Sequence, residues 1–239
     1  MAFPELDSTN LWLKSAAHDQ ICDGMVCLAD NQVKGRGQYE RGWVSEPCTN
    51  LTWSILLQPG SPDRLFLLTL ASIHAVATVV ERSFSLEASI KWPNDLIVQG
   101  RKVAGVLAEA VFNGNTLDRF IIGIGLNVNQ SQFPENLPQA ASLAQLSGQQ
   151  IDREHLLAQI MNECESVIRG WKSKDTNLLS SVNHRLIGYG SKVRVEVDGK
   201  PVDESLLLLG VNMSGHLHLL GDDYTVHTYA YEQVRIIAG

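Results

Sequence analysis

The sequence lacks the features that mark secreted, membrane-inserted and metal-stabilised proteins. Its N-terminus, MAFPELDSTN, has no basic region followed by an apolar one, and no segment of the chain reaches about 18 uncharged apolar residues. Four cysteines form no Cys-x-x-Cys pair and match no histidine spacing; they are Cys22, Cys27, Cys48 and Cys164. We therefore expect a cytoplasmic protein without structural zinc or disulfides, whose thiols are reduced and mostly buried.

An excess of basic residues is also missing. The 239 residues include 19 Lys and Arg against 26 Asp and Glu, which gives a formal net charge of -7 and a pI near 5.5. A general nucleic-acid-binding protein needs enough basic side chains on one face to neutralise many phosphates, so this balance argues against one. The chain has no repeats or low-complexity tract, and its length allows one large domain or a domain with a small appendage. These properties are typical of a soluble enzyme.

Helical and strand patterns mix in the first part of the chain. Ser8 is expected to cap a helix that continues to about His18, long helices are predicted over 62–83 and 151–173, and a shorter one reaches Arg185. The sequence NGN predicts a hairpin turn. Strands are expected near 25–30, 51–58, 89–92, 95–98, 102–112 and 118–127. The predicted fold class is α+β, with a mixed, mainly antiparallel sheet and helices packed on it.

Only strand patterns appear after residue 185. The runs KVRVEV, SLLLLGVN, HLHLL and YTVHTY belong to about five short strands, and VDGK is expected to form a tight turn. Several short strands separated by turns are the pattern of a small barrel. The sequence therefore predicts two domains, covering 1–185 and 186–239.

The loop GRGQYERGW, residues 35–43, concentrates glycine and arginine. It comes close to the G-x-G-x-x-G dinucleotide-binding motif, but its sixth position is Glu40 and the next patterned segment is a strand, so the Rossmann interpretation fails. Two glycines let a backbone approach an anion closely, and the planar guanidinium groups of Arg36 and Arg41 suit carboxylate or phosphate. A solvated hairpin loop is the alternative interpretation.

The stretch KWPNDLIVQGRKVAGVLAEA places two charged residues on neighbouring strands. Pro93 cannot lie inside a central strand, so it indicates a break that presents Asn94 and Asp95 at the start of a strand. The QGR turn reverses the chain, and Lys102 begins the following strand. This ribbon predicts that Asp95 and Lys102 lie near one site, with a purely structural salt bridge as the alternative.

The stretch IIGIGLNVN is an apolar strand interrupted by glycine. Gly123 and Gly125 remove side chains where another group must approach the backbone. A ligand is one such group. Glycines packed beneath an aromatic residue explain the pattern equally well.

Five motifs together resemble biotin protein ligases: STN at 8–10, GRGQYERGW, KWPNDL, GRKVAGVL and GIGLNVN occur in that family's order. The run GVNMSGHLHLLGDDYTVHTYAYEQVRI is similar to the family's small C-terminal barrel. The resemblance implies a catalytic domain akin to class II aminoacyl-tRNA synthetases followed by an SH3-like domain. It also implies that biotin and ATP give biotinyl-5'-AMP and pyrophosphate, and that biotin then passes to a lysine of the biotin carboxyl carrier domain of acetyl-CoA carboxylase.

The same resemblance implies roles for individual residues. Those implied in catalysis are Lys102, Arg36 and Asp95, with Asp95 orienting the incoming lysine. Those implied in biotin binding are Ser8, Thr9, Asn10, Gln32, Gly35, Arg36, Lys102, Gly105 and Gly123. Those implied in nucleotide binding are Arg36, Gly37, Gln38, Arg41, Trp43, Asn94, Lys102 and Asn127. The alternatives are helix capping for Ser8, ordinary polar contacts for Thr9 and Gln32, and core packing for Trp43.

Mg²⁺ is expected to enter with ATP, because the sequence shows no dedicated carboxylate cage and no histidine ligand spacing. Many relatives have arginine where this chain has Gln38 and glycine where it has Glu40, so the loop carries less positive charge in this chain than in those relatives. A lipoate or octanoate ligase or transferase of the same superfamily is the alternative function. Because the chain begins seven residues before STN, we expect a monofunctional enzyme without an N-terminal DNA-binding domain. A homodimer is compatible with the sequence.

Overall fold

The computed structural model describes residues 1–38 and 42–237, and its larger part is a seven-stranded sheet. The strands lie in the order β1-β2-β3-β7-β6-β5-β4, and only β1 and β2 are parallel. The mixed, mainly antiparallel sheet is therefore confirmed. The bounds are β1 Ala2–Leu6, β2 Val26–Gln32, β3 Leu51–Leu57, β4 Ala88–Lys91, β5 Asp95–Val98, β6 Arg101–Asn113 and β7 Thr116–Leu126.

The centre of the sheet is formed by β3 and β7, whose sequences are the most continuously apolar. Every residue of β3 is buried, which fits a strand covered on both faces. The predicted NGN turn joins β6 to β7, and Gly114 has a φ of 58°, the left-handed conformation that such a tight hairpin favours. Sequence analysis missed β1, an edge strand that tolerates Pro4 because one side of an edge strand needs no ladder hydrogen bonds.

One long helix lies on the sheet, and a second long helix packs on the first. They are α2, Leu65–Phe84, and α4, Arg153–Lys172, and they pack against each other. By length and composition α2 could cross a membrane, but 67% of its most apolar window is buried inside the protein. The shorter helices are α1 Thr9–Ser15, α3 Leu143–Ser147 and α5 Thr176–Arg185.

Helix α1 is shorter than predicted, because it ends at Ser15 and is followed by a 3₁₀ turn, His18–Gln20. Ser8 occupies the N-cap position, but its side chain makes no capping hydrogen bond. The interpretation of Ser8 as a side-chain cap is therefore wrong. Sequence analysis also missed α3, whose capping box joins Ser142 and Gln145.

The last part of the chain forms a second, antiparallel sheet that curls into a half-barrel. Its strands are β8 Lys192–Val197, β9 Lys200–Pro201, β10 Leu206–Val211, β11 Leu217–Leu220, β12 Val226–Tyr229 and β13 Val234–Ile237. The VDGK turn is confirmed, with Asp198 and Gly199 both at positive φ. Buried side chains of both sheets join one core, so the boundary between 1–185 and 186–239 remains a prediction.

Arg185, at the end of the first part of the chain, forms a partly buried polar cluster. Its guanidinium donates to both carboxylate oxygens of Glu81, to the Ala88 carbonyl and to His74 Nδ1. Burial lowers the pKa of His74 to about 4, and the Arg185 charge acts in the same direction. Burial raises the pKa of Glu81, but hydrogen bonds from Arg185 and the Ala88 N–H outweigh it and hold that pKa below its usual range.

All four cysteines are free, but only Cys27 and Cys164 are buried. Burial raises the pKa of Cys27 to about 11 and that of Cys164 to about 12, so both are inert thiols. Cys22 and Cys48 are exposed, which corrects the prediction of mostly buried thiols.

Candidate functional site

One cavity of about 400 Å³ lies between the N-terminus of α1, the loop after β2, strands β6 and β7, and the end of the second sheet. The predicted site residues that line it are Ser8, Thr9, Asn10, Gln32, Arg36, Gly37, Gln38, Trp43, Asn94, Asp95, Lys102, Gly105, Gly123 and Asn127. Gly35 packs directly against Trp43 beside it. Arg41 lies outside the described residues. Residues far apart in sequence are therefore brought to one place.

One end of the cavity is a chain of buried hydroxyl and amide groups. The Thr9 N–H donates to Gln32 Oε1 at 2.8 Å, and the Thr9 hydroxyl lies 2.6 Å from the Ser54 hydroxyl. Ser54 donates to Asn10 Oδ1 at 2.6 Å. The hydrogen bonds thus run from Gln32 to Asn10 through Ser54, a residue that sequence analysis missed.

The Asn10 amide is fixed from both sides. Its Nδ2 donates to the Leu107 carbonyl at 3.1 Å and to Glu109 Oε2 at 2.9 Å, which leaves Oδ1 to accept from Ser54. Sequence analysis missed Glu109 as well. The available signals are weak: Ser54 is one of two hydroxyl residues in a buried, mainly apolar strand, and Glu109 is a lone acid in β6.

Helix α1 carries Thr9 and Asn10 at its N-terminus, and Arg119 holds the helix at its C-terminal end. This side chain is buried, and its Nη1 donates to the carbonyls of Leu13 and Ala16 at 3.0 Å each. Asp118 accepts from Arg119 Nε at 2.8 Å and balances the charge. The C-terminal end of α1 is therefore anchored to β7.

Glycines form the floor of the cavity because two larger side chains lie on them. A Cβ atom on Gly125 would lie 2.3 Å from Trp43 Cε2, and one on Gly123 would lie 2.2 Å from Asn10 Oδ1. Gly105 is less crowded, with Trp43 Cζ3 at 3.3 Å and Lys102 Nζ at 3.5 Å from the same position. The interpretation that a glycine packs beneath an aromatic residue is correct for Gly125, whereas Gly123 makes room for an amide.

The described ends of the GRGQYERGW loop pair with each other. The Trp43 N–H donates to the Gly35 carbonyl at 2.9 Å, and Arg36 forms an antiparallel bridge with Gly42. A Cβ on Gly35 would lie 2.5 Å from the Trp43 carbonyl oxygen, so this glycine is required by the loop itself. The described ends of the loop are thus paired like the ends of a hairpin, and Arg36 and Gln38 line the cavity.

At the other end of the cavity, Lys102 Nζ lies 2.6 Å from Asp95 Oδ1. Within residues 1–38 and 42–237, no favourably aligned hydrogen bond reaches this oxygen, so the contact is an ion pair. Asn94 holds the start of β5 in place, because its Nδ2 donates to the Val106 carbonyl and its own carbonyl accepts from the Val106 N–H. The predicted proximity of Asp95 and Lys102 is confirmed.

Asn127 follows β7 and is buried. Its Nδ2 donates to the Ala141 carbonyl at 3.1 Å, whereas its Oδ1 has no hydrogen-bond partner among the described residues. The same is true of the indole N–H groups of Trp43 and Trp92, which also line the cavity. Unsatisfied buried polar atoms are costly, so these groups mark places where a ligand can bind.

The second sheet completes the cavity wall with Tyr231, Val234, Arg235 and Ile236. The Tyr231 ring stacks on Phe66 of α2 at a centroid distance of 5.1 Å, and Phe66 also meets the edge of Trp92. Nothing in the sequence signalled this contribution. Over residues 1–38 and 42–237, no three His, Cys, Asp or Glu side chains gather as a metal site.

The chain is similar to proteins of known type. Residues 2–127 match the sequence model described as the Biotin/lipoate A/B protein ligase family. The chain is 30% identical to the Bifunctional ligase/repressor BirA of Bacillus subtilis over 226 residues, which cover 87% of this chain and 68% of that protein. It is 33% identical to the Biotin--[acetyl-CoA-carboxylase] ligase of Mycobacterium tuberculosis over 193 residues, 78% of this chain and 70% of that one.

The structural comparison covers nearly the whole chain. The biotin protein ligase from Aquifex aeolicus, solved in complex with biotin and ATP, superposes with a TM-score of 0.85 at 28% identity. The match covers 99% of this chain and 98% of that one, so it includes the second sheet. This agrees with a catalytic domain of the biotin ligase type followed by an SH3-like half-barrel.

Proposed function

The chain belongs to the biotin/lipoate A/B protein ligase family, and from this premise we propose that it is an ATP-dependent biotin protein ligase. It activates biotin as biotinyl-5'-AMP and transfers the biotinyl group to a lysine of a carrier protein. The observation that carries this proposal is the shape of the cavity: a hydrogen-bonding end, a glycine floor and a cationic end. Biotin has the matching order, with a polar ureido head, an apolar tail and a carboxylate.

The ureido head belongs at the Thr9 end. It offers one carbonyl acceptor and two N–H donors, and the surrounding hydroxyl and amide groups can supply both kinds of partner. The residues assigned to this head are Ser8, Thr9, Asn10 and Gln32, with Ser54 fixing Thr9 and Asn10. A lipoyl group has no ureido, so it would leave these groups unpaired at a cost of about 1–3 kcal/mol each.

The tail then lies along the glycine floor toward the cations. Gly105 and Gly123 flank it, and Gly35 lets the loop pack closely beside it. This direction brings the carboxylate of biotin toward Lys102, which Asp95 holds at 2.6 Å.

Adenylation joins two anions, so the cations lower its barrier. A carboxylate oxygen of biotin forms a bond to the α-phosphorus of ATP, and the bond to the bridging oxygen breaks as pyrophosphate leaves with its electron pair. Lys102 and Arg36 stabilise the charge that accumulates on the phosphate and the carboxylate. Lys102 is already held at this end of the cavity by Asp95, so it needs little reorganisation during the reaction.

Transfer uses the same site. The amine of the carrier lysine attacks the acyl carbon of the adenylate, a C–N bond forms, and AMP leaves with the electrons of the broken C–O bond. Asp95 orients the incoming amine, which releases one proton to the solvent as the amide forms. The ion pair with Lys102 places the Asp95 carboxylate beside the reacting atoms.

The nucleotide lies next to the loop. Trp43 supplies an aromatic face for adenine, and the unpaired Oδ1 of Asn127 accepts a hydrogen bond from the nucleotide. The other residues assigned to the nucleotide are Arg36, Gly37, Gln38, Arg41, Asn94 and Lys102. Mg²⁺ arrives with the triphosphate of ATP, which supplies the oxygen ligands that this ion prefers.

The carrier is the biotin carboxyl carrier domain of acetyl-CoA carboxylase, as the name of the Mycobacterium tuberculosis relative suggests. The enzyme acts in the cytoplasm. Its net charge of -7 disfavours binding to nucleic acid, and a homodimer is compatible with the fold.

The test is the intact mass of a purified carrier domain after incubation with the protein, ATP, Mg²⁺ and either biotin or lipoate. We expect the mass of the carrier to rise by one biotinyl group with biotin and to stay unchanged with lipoate. The Lys102→Gln variant serves as the control for chemical rather than enzymatic labelling. A mass increase with lipoate and none with biotin would place the protein in the other branch of the family.

A further inference from the structure

The Glu109 carboxylate is contacted by three donor groups from two segments, helix α1 and the loop after β2. Its Oε2 accepts from Asn10 Nδ2 at 2.9 Å, and its Oε1 lies 3.4 Å from both Lys14 Nζ and Arg36 Nη1. The carboxylate is only 14% exposed, whereas the Arg36 side chain is 48% exposed. A mostly buried acid therefore holds the tip of a largely exposed arginine from the loop.

This contact places Arg36 away from Lys102. Glu109 and Lys102 lie seven positions apart on the same strand, β6, which corresponds to roughly 20 Å between their Cα atoms at about 3.3 Å per residue. The proposed function, on which this inference rests, needs Arg36 at the anions beside Lys102. The guanidinium must therefore leave Glu109 when the ligand binds.

Lys14 makes this departure possible at low cost. It contacts the same Oε1 atom as Arg36 and comes from α1, so Glu109 keeps a cation and the Asn10 amide after Arg36 has moved. A partly buried carboxylate left without any partner would be strongly unfavourable.

We propose that Glu109 is a positioning residue that holds Arg36 in the ligand-free protein and exchanges it for an anionic group of the ligand. Arg36 thus moves from a protein carboxylate to the carboxylate or phosphate of the ligand. Glu109 competes with the ligand for the same guanidinium, which reduces affinity for anionic ligands and has no such effect on neutral ones.

The Glu109→Gln variant separates this role from simple support of Asn10, because glutamine keeps the length and a hydrogen-bond acceptor but removes the charge. We expect calorimetry to show about two- to five-fold tighter binding of biotin, the range typical of one partly exposed ion pair. Biotinol, in which an alcohol replaces the carboxylate, should bind the variant and the wild type equally. Glu163→Gln, which breaks a similar pair with Arg82 far from the cavity, should change neither affinity.

The gain must also depend on Arg36. In an Arg36→Met background, Glu109→Gln should leave biotin affinity unchanged. Weaker binding of biotin and biotinol alike would show that Glu109 acts only by supporting Asn10, and an unchanged affinity for biotin in the single variant would equally overturn the proposal. So would a gain that persists without Arg36.

A measurement without ligand distinguishes failure of this inference from failure of the proposed function. Trypsin cleaves after arginine, and release from Glu109 should make the peptide bond after Arg36 severalfold more susceptible in Glu109→Gln than in the wild type. Cleavage after the exposed Arg169 should not change, which controls for global loosening. Equal cleavage rates after Arg36 in the variant and the wild type would contradict the inference even if both proteins bind biotin. If neither protein binds biotin, the proposed function fails, but the cleavage rates still decide whether Glu109 holds Arg36.

Discussion

At the scale of single residues, the cationic end of the cavity depends on one close pair of charges. Lys102 is 36% exposed and Asp95 22% exposed, so their ion pair is neither fully solvated nor fully buried. Such a pair can open to admit a ligand anion without leaving a buried charge alone. The ammonium group of Lys102 is therefore both held in place and available.

Replacing Lys102 by Gln keeps most of the side-chain length but removes the charge. Adenylation is expected to slow by some 30-fold to 1000-fold, about 2–4 kcal/mol in barrier, because charge on the transferring group loses its partner. Exchange of labelled pyrophosphate into ATP in the presence of biotin measures this step. Lys34→Gln, which removes an exposed partner of Asp7, is the matched control and should retain the wild-type rate; a normal rate in Lys102→Gln would exclude the proposed role.

Gly125→Ala tests the packing of Trp43. The new Cβ would lie 2.3 Å from Trp43 Cε2, so the indole must shift, and we expect a loss of about 1–3 kcal/mol in the free energy of unfolding together with weaker ATP binding. Gly170→Ala is the control, because its Cβ would meet nothing closer than 3.8 Å inside α4 and should stabilise the protein by about 0.4–1 kcal/mol. Urea unfolding measures the stability of both variants. Equal changes in the free energy of unfolding would show that the position of Trp43 does not require glycine at residue 125.

Residues that a short ribbon brings together could be predicted from the sequence, and residues that sheet register brings together could not. Asp95 and Lys102 follow from the local turn between two strands. Ser54 and Glu109 reach Asn10 from 44 and 99 positions away, through strand pairing that no local pattern determines. The family motifs supplied the identity of Thr9 and Asn10, but not the groups that hold them.

At the scale of elements, α1 is a short helix whose position matters more than its stability. Seven residues form too few hydrogen bonds to be stable alone, so packing and Arg119 must hold it. Helix α1 was predicted too long because its apolar pattern continues past Ser15. Strand β1 and helix α3 were missed because each is five residues long and is stabilised by the surrounding fold.

Arg119→Met should loosen α1 from β7. We expect about 1–3 kcal/mol lower stability, since the carbonyls of Leu13 and Ala16 lose a charged donor, and weaker biotin binding because Thr9 and Asn10 are carried by the same helix. Urea unfolding and biotin titration measure the two effects. Arg169→Met, which removes only an exposed pair with Glu165 on α4, should cost less than about 0.5 kcal/mol; unchanged biotin affinity in Arg119→Met would mean that α1 is held by other contacts.

At the scale of the whole molecule, the two sheets share one core and one cavity. Buried residues of β8, β10, β11 and β13 join the core of the large sheet, and Tyr231 stacks on Phe66 at the cavity wall. Arg185, at the end of α5, ties α5 to α2 and β4 through Glu81, His74 and Ala88. Global stability therefore depends on the charge state of this cluster.

The cluster predicts a loss of stability as pH falls. His74 has a folded-state pKa of about 4 against 6.5 when unfolded, so the unfolded chain binds the proton first as pH falls. The free energy of unfolding is therefore unaffected by His74 above pH 6.5 and declines between pH 6.5 and pH 4, by up to about 3 kcal/mol. Glu81, with a lowered pKa, adds a further loss as pH falls through its folded-state value. Urea unfolding from pH 7 to 4 should show a smaller decline for His74→Gln than for the wild type, with exposed His216→Gln as the control; parallel curves for His74→Gln and the wild type would contradict this assignment.

The central claim is that this cavity activates biotin with ATP. The most direct measurement is the exchange of labelled pyrophosphate into ATP by the purified protein with Mg²⁺, in the presence of biotin, of lipoate, or of no acid. The account predicts exchange with biotin alone, because only biotin pairs with the groups at the Thr9 end and presents its carboxylate to Lys102. Exchange that requires lipoate, or none with biotin, would contradict it.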